Sequence, residues 1–94
     1  MATFRVTAEE LSSAARKIQQ YLADYDEASN AAITSGLNLA GSWEGAAQKV
    51  FAEEQERAKE WYAQMSNIVK MYIRALEIAA KAYEAADIAV KILI

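Results

Sequence analysis

Apolar residues recur every three or four positions along the first part of the chain. Alternating steps of four and three place such residues on one face of an α-helix, as in the seam of a coiled coil. A second stripe lies beside this seam, which indicates a helix that touches two neighbours. The seam is Leu11, Ala15, Ile18, Leu22, Tyr25, Ser29, Ala32, Gly36 and Leu39, and the second stripe is Ala14, Tyr21 and Ala28.

The start of this helix is marked by the sequence Thr7-Ala8-Glu9-Glu10. In such a capping box, the threonine hydroxyl accepts a hydrogen bond from the backbone N–H of the glutamate, and the glutamate carboxylate reaches back to the threonine N–H. The pattern predicts a first helix over about 8–39, after a short extended arm at residues 1–6.

The helical pattern is interrupted once, near the middle of the chain. All three glycines lie within ten residues and there is no proline: the glycines are Gly36, Gly41 and Gly45. A turn is therefore predicted at residues 40–45. We expect Gly41 to end the first helix in a left-handed conformation and Ser42 to cap the second, with Glu44 adding negative charge to its first turn. Gly45 indicates a close backbone approach or a turn conformation.

The second half of the chain contains no helix breaker and predicts one helix over about 46–90. Its stripe is Val50, Glu54, Ala58, Trp61, Met65, Ile68, Tyr72, Leu76, Ala79, Tyr83, Ala86 and Val90. The fold class is therefore all-α, an antiparallel hairpin formed by residues 1–94 as a single domain. Because a two-helix hairpin has only one internal seam, part of this apolar surface is expected to need a partner.

The amino-acid composition mainly excludes classes of site and function. The chain has no Cys and no His, which excludes disulfides, a thiol nucleophile and a Ser-His-Asp triad. Its 10 basic residues are dispersed among 13 acidic ones, so no cationic stripe suits nucleic acid. The acidic group Glu53, Glu54, Glu56 and Glu60 is typical of a solvated helix face rather than a metal site. We therefore expect no enzymatic activity and no cofactor.

Targeting signals of the usual kind are not evident in the sequence. The N-terminus lacks the basic start and apolar run of a cleavable signal peptide. The most apolar tract, residues 75–94, is interrupted by charged residues, so stable membrane insertion is not expected. If the protein is exported, we expect an export route that does not require a cleavable signal peptide.

Two short motifs carry a family resemblance. Trp43-Glu44-Gly45 lies in the turn between two long helices, and Tyr83 is followed one helical turn later by Asp87. In this setting the chain resembles the WXG family, the small type VII secretion substrates that include the early secreted antigen proteins. Tyr83 and Asp87 resemble the Tyr-x-x-x-Asp/Glu secretion signal of these substrates, and Trp43 and Gly45 their turn motif.

The resemblance implies a hairpin that dimerises into a four-helix bundle, with itself or with a sibling WXG-type protein. It implies export through a membrane complex driven by an FtsK/SpoIIIE-type ATPase, to the outside or the surface of a Gram-positive type bacterium or actinobacterium. The turn motif of one chain would lie near the C-terminal helix of the other. The residues expected in the core or dimer interface are Leu11, Ile18, Leu22, Tyr25, Val50, Trp61, Met65, Ile68 and Tyr72.

The leading hypothesis is a non-enzymatic secreted effector or co-secretion partner, and two alternatives stay open. In the first alternative, the chain is an adaptor or chaperone that pairs with the N-terminal helices of a larger secreted toxin. In the second it is a membrane-active amphipathic effector, which the apolar face of residues 75–94 permits but its mixed charges disfavour.

Overall fold

The computed structural model of the chain describes the backbone of residues 6–93 and the side chains of residues 6–86. It contains two α-helices, α1 at Ala8–Gly41 and α2 at Ala46–Leu93. No strand occurs in the described backbone. The all-α, two-helix prediction is confirmed. The helices extend beyond the predicted ends, to residue 41 rather than 39 and to residue 93 rather than 90.

The predicted cap at the start of α1 is present. The Glu10 backbone N–H donates to the Thr7 hydroxyl at 3.0 Å, and the Leu11 N–H donates to the Thr7 carbonyl at 3.1 Å. The first bond satisfies an N–H that has no partner inside the helix, and the second is the first i→i−4 bond of α1. Of the two bonds of the predicted capping box, the structure shows the one from the Glu10 N–H to the Thr7 hydroxyl.

The end of α1 differs from the prediction. Gly41 is the last helical residue and is not left-handed, because Gly45 is the one described glycine with a positive φ. Ser42 does not cap α2. Its backbone N–H and its hydroxyl both donate to the Leu39 carbonyl, at 3.1 and 3.0 Å. Tight bonds of this kind satisfy the last carbonyls of a helix without a left-handed residue.

The N-cap of α2 is Gly45 rather than Ser42. The Lys49 N–H donates to the Gly45 carbonyl at 3.4 Å, and the helix begins at Ala46. Glu44 therefore precedes α2, and its predicted place in the first helical turn is wrong. Ser42 lies too far before Ala46 for its hydroxyl to reach the first N–H groups of α2.

The contacts between helical segments fall into two compact units, each described here by itself. Unit 1 comprises Met1–Tyr21 and Val69–Ile94, and unit 2 comprises Leu22–Ile68. The buried residues are Ala15, Ile73 and Ala80 in unit 1 and Leu22 and Ser66 in unit 2. Within the described residues no large side chain is completely buried. Each seam is therefore thin, and much of the apolar surface remains accessible.

The seam of α1 in unit 2 departs from the predicted heptads after Ser29. Ile33 and Ala40 are half-buried, whereas the predicted seam residues Ala32 and Leu39 are exposed. Two successive steps of four, from Tyr25 through Ser29 to Ile33, compensate for the drift of a helix with 3.6 residues per turn against a strict heptad.

The seam of α2 in unit 2 shares Ala58 and Met65 with the predicted stripe and elsewhere lies one residue away from it. It consists of Phe51, Gln55, Ala58, Tyr62, Met65 and Ser66. The predicted residues Val50, Glu54, Trp61 and Ile68 are exposed. At about 100° per residue, the two series lie about a quarter turn apart on α2. Both are rich in apolar residues, so periodicity could not identify the one that contacts α1.

Candidate interaction surface

Geometry for catalysis or metal binding is not evident in the part of the chain that the structure describes. No group of three acidic side chains there is arranged to hold a metal ion. Of the acidic group on α2, Glu54 forms an exposed ion pair with Arg57. An exposed pair of this kind contributes little to stability.

Neither described helix has a stretch that is long and apolar enough to cross a membrane.

The turn motif places Trp43 at the end of unit 2. Its ring centroid lies 5.7 Å from that of Phe51, with the ring planes tilted by 43°. The backbone N–H of Trp43 donates to the Ala40 carbonyl at 3.3 Å. Phe51 and this turn hold the indole in place, yet 38% of Trp43 remains exposed. An aromatic ring that is fixed on one side and open on the other is suited to contact with a partner.

Gly45 is required for its conformation. Its φ is 108°, a region that residues with a side chain rarely adopt. A Cβ at this position would meet no atom within 4 Å, so close approach of another segment is not the reason for glycine. Of the two interpretations that the sequence allowed, the turn conformation is the correct one.

An apolar stripe on α2 is left free in unit 2. Val50, Trp61 and Ile68 are 59%, 54% and 56% exposed. At about 100° per residue they fall within about 20° of one another around the helix. We call Val50, Trp61 and Ile68 the Trp61 stripe. Such an alignment of large apolar side chains in solvent is typical of an interaction surface.

The first helix adds apolar residues on the same side of unit 2. Leu39 is 55% exposed and lies about a quarter turn from the seam of α1. In an antiparallel pair of helices, the residue that precedes a seam residue lies on the same side of the pair in both helices. Leu39 precedes the seam residue Ala40, as Trp61 precedes Tyr62. The exposed residues Ala28 and Ala32 share this side. The opposite side carries the polar residues Asn30, Thr34, Glu56 and Lys59 and the apolar residues Leu37, Ala52 and Ala63.

Unit 1 also has a polar groove. Gln19 Nε2 donates to Glu77 Oε1 at 3.2 Å, from α1 to α2. Arg16, Lys81 and Glu84 line the same groove. The charges of both signs leave no strongly cationic or anionic surface here. The large apolar residues of unit 1 that remain exposed are Val6, Tyr21, Met71, Tyr72, Ile78 and Tyr83.

The two residues of the predicted secretion signal are described to different extents. Tyr83 lies on α2 and is 50% exposed. The backbone of Asp87 continues α2, and its side chain lies outside the described residues. The four-residue spacing on a continuous helix is present, as a signal that combines a ring and a carboxylate would require.

The predicted core and interface residues separate into two groups. Within their own chain, Leu11, Ile18, Leu22, Tyr25 and Met65 are buried or half-buried, and they form part of the hairpin seam. Exposed instead are Val50, Trp61, Ile68 and Tyr72. The prediction did not distinguish these groups, since it gave one stripe to α2 where the helix has two.

The seam of unit 2 contains residues that the sequence prediction missed. Tyr62 packs edge-on against Tyr25, with ring centroids 6.1 Å apart. Gln55 Nε2 donates to the Ile33 carbonyl at 2.9 Å. The signal that identifies these residues is the second series on α2 with the same spacing. Ser29 also bonds within this seam, because its hydroxyl donates to the Tyr25 carbonyl at 2.7 Å.

The hydroxyl of Tyr25 is buried without a hydrogen-bond partner among the described residues. We expect Tyr25→Phe to raise the free energy of unfolding by about 1 kcal/mol, because an unsatisfied buried hydroxyl is unfavourable. Urea unfolding at a fixed chain concentration measures the effect. Tyr21→Phe is the control, since Tyr21 is 67% exposed. A loss of stability on Tyr25→Phe would show that the hydroxyl has a partner in solution.

Comparison with known proteins gives one finding. A family model described as "WXG100: Proteins of 100 residues with WXG" matches residues 3–88. This match covers most of the chain and includes the Trp43-Glu44-Gly45 turn. Neither the search of curated proteins nor the search of solved structures found a match.

Proposed function

Because the chain belongs to the WXG100 family, which implies the role of a type VII secretion substrate, we propose that it is exported as a folded helical dimer. The dimer acts as a secreted effector or as a co-secretion partner, outside the cell or at its surface. It presents surfaces to other proteins and has no enzymatic activity. The observation that carries this proposal is the Trp61 stripe, which the hairpin itself does not cover.

The proposed partner is a second copy of the chain, joined through the apolar side of unit 2. Full burial of one large apolar side chain is worth about 1.5–3 kcal/mol. A little over half of each of Trp61, Ile68, Val50 and Leu39 is exposed, so each contributes about half of that value on association. A two-fold dimer uses the same patch on both copies. The patch is not purely apolar, because the exposed Glu54–Arg57 ion pair lies between Val50 and Trp61 on the same face of α2. Four helices then pack together as a bundle.

The proposed export signal combines Tyr83 and Asp87. Residues four apart on a helix project from one face, so a groove on the secretion ATPase can bind the ring and the carboxylate together. The exposed part of Trp43 contributes a second contact, next to the C-terminal helix of the other chain in the dimer. This arrangement follows the family and is supported by the half-exposed Tyr83 ring.

Tyr83→Ala is expected to abolish export while the protein still accumulates, folded and dimeric, in the producing cell. The physical reason is that the ring is half exposed and contributes little to the seam. Immunoblotting of medium and cell fractions measures export, and circular dichroism with light scattering measures folding and assembly.

Tyr21→Ala is the matched control, because Tyr21 is also exposed and lies on α1 outside the motif. Export of Tyr83→Ala at the unmodified level would contradict the assignment of the signal. Loss of export by both variants would show that the assay responds to any exposed tyrosine.

The alternative adaptor function can be tested with the unmodified chain. Mass measurement of the purified chain alone, and after co-expression with the products of neighbouring genes, distinguishes a homodimer from a complex with a sibling or a toxin. A chain that is monomeric alone and forms a stable pair with a larger neighbour would favour the adaptor.

A further inference from the structure

One polar contact crosses the seam of unit 2 and depends on a glycine. Gln55 is half-buried, and its amide donates to the Ile33 carbonyl at 2.9 Å. The same amide lies directly against Gly36, so that any Cβ at Gly36 would overlap it. Gly36 has no positive φ, and therefore the backbone conformation does not demand glycine there. A Cβ at Gly36 would therefore force the flexible end of the Gln55 side chain to move.

The second helix has two stripes that compete for the seam. The seam series and the Trp61 stripe are related by a shift of one residue, which replaces Phe51 by Val50 and Tyr62 by Trp61. Phe51 is larger than Val50, whereas Trp61 is larger than Tyr62, so the differences in hydrophobic burial partly offset each other and distinguish only weakly between the stripes. A rotation of α2 by about 100° would exchange the stripes.

The polar residues of the two stripes differ more. In the rotated arrangement, Glu54 would occupy the place of Gln55. A carboxylate has no N–H to donate to the Ile33 carbonyl, and its burial beside a carbonyl oxygen is unfavourable. Arg57 would likewise replace Ala58. In the observed arrangement, Glu54 and Arg57 pair with each other in solvent.

We propose that the contact of Gln55 with Ile33 and Gly36 selects the stripe of α2 that faces α1, and so keeps the Trp61 stripe available for a partner. A single buried polar residue fixes the register of coiled coils in the same way, because the alternative arrangement leaves it without a hydrogen bond. The selection is a property of one chain. Its consequence for the partner rests on the proposed function.

The test measures the rotation of α2 within one chain. The chain has no Cys, so cysteines introduced at the exposed positions Asn30 and Lys59 carry the only two spin labels. Double electron–electron resonance gives the distance between them. Dilution with an excess of unlabelled chain restricts the signal to distances within one chain, whether or not a dimer forms. Exchange of the stripes would move the label on α2 by about 10 Å.

The decisive variant is the exchange of two adjacent residues, Glu54→Gln together with Gln55→Glu. The exchange keeps composition and charge and moves the amide to the other stripe. The unmodified chain is expected to give one narrow distance, and the exchange a second, populated distance shifted by about 10 Å, although Arg57 still opposes the rotated arrangement. Gln64→Glu is the control, because Gln64 is an exposed glutamine of α2, and it should keep the original distance.

Gly36→Ala provides a second, independent variant. Alanine favours the helix, so this variant is not expected to unfold, while its Cβ displaces the Gln55 amide. It should show the second distance as well. One narrow, unshifted distance in Gly36→Ala, or in a folded exchange variant, would overturn the proposal. Failure of dimerisation would leave these distances readable and would bear on the proposed function instead.

Discussion

Ile68→Asp is expected to abolish self-association and leave the hairpin folded. Ile68 is 56% exposed in the single chain, so the substitution removes little packing there. In a two-fold dimer, both copies would bring a carboxylate into the apolar patch. Burial of an unpaired charge is strongly unfavourable. We expect dimer affinity to fall by at least about 100-fold, which corresponds to about 3 kcal/mol.

Sedimentation equilibrium over a range of concentrations measures this loss, and circular dichroism checks that the helices remain. Ala63→Asp is the control, because Ala63 is an exposed residue of α2 outside the Trp61 stripe. A dimer of unchanged affinity in Ile68→Asp would exclude this side of the hairpin as the interface. A monomeric unmodified chain would refute the homodimer itself and favour a sibling or a toxin as partner.

Ile73→Ala is expected to cause the largest loss of stability. Ile73 is 5% exposed and is the largest of the buried apolar residues in unit 1. Truncation of a buried isoleucine to alanine costs about 2–5 kcal/mol. A domain of this size is stable by about 5–15 kcal/mol, so the loss is a large fraction of the total.

Urea unfolding at one fixed chain concentration measures the change, because association would otherwise shift the apparent stability. Ile78→Ala is the matched control, since it makes the same substitution on the same helix at a residue that is 58% exposed. We expect the control to change the free energy of unfolding by about 0.5 kcal/mol or less. Equal losses in the two variants would mean that Ile73 is not a core residue in solution.

Local features of the sequence predicted local features of the structure. Thr7 and Glu10 marked the start of α1, because capping involves residues three apart and needs no tertiary contact. The glycine cluster located the turn, but not the role of each glycine. Gly41 was expected to be left-handed, whereas Gly45 adopts that conformation. Two hydrogen bonds to the Leu39 carbonyl decide the end of α1, and they depend on the path of the turn.

The family motif was recognisable from the sequence as well. Trp43 and Gly45 lie in the turn, and the family model covers the chain around them. The support for Trp43 was not evident, because Phe51 lies outside the one stripe that the sequence predicted on α2. The ring contact between Trp43 and Phe51 follows from the rotation of α2, which places Phe51 in the seam.

The sequence by itself determined two helices, the residue at which the first begins, the turn and the family. These properties depend on periodicity and on groups a few residues apart, which a linear pattern records directly. Only the tertiary structure decided which stripe of α2 faces α1 and which remains free. That choice depends on Gln55, which lies 22 residues from Ile33 in the sequence. Gln55 meets Ile33 and Gly36 only when the hairpin closes. Hydrophobic burial distinguishes only weakly between two stripes shifted by one residue, so the polar residues decide between them: the Gln55 contact favours the observed seam, and the other seam would bury Glu54 and Arg57.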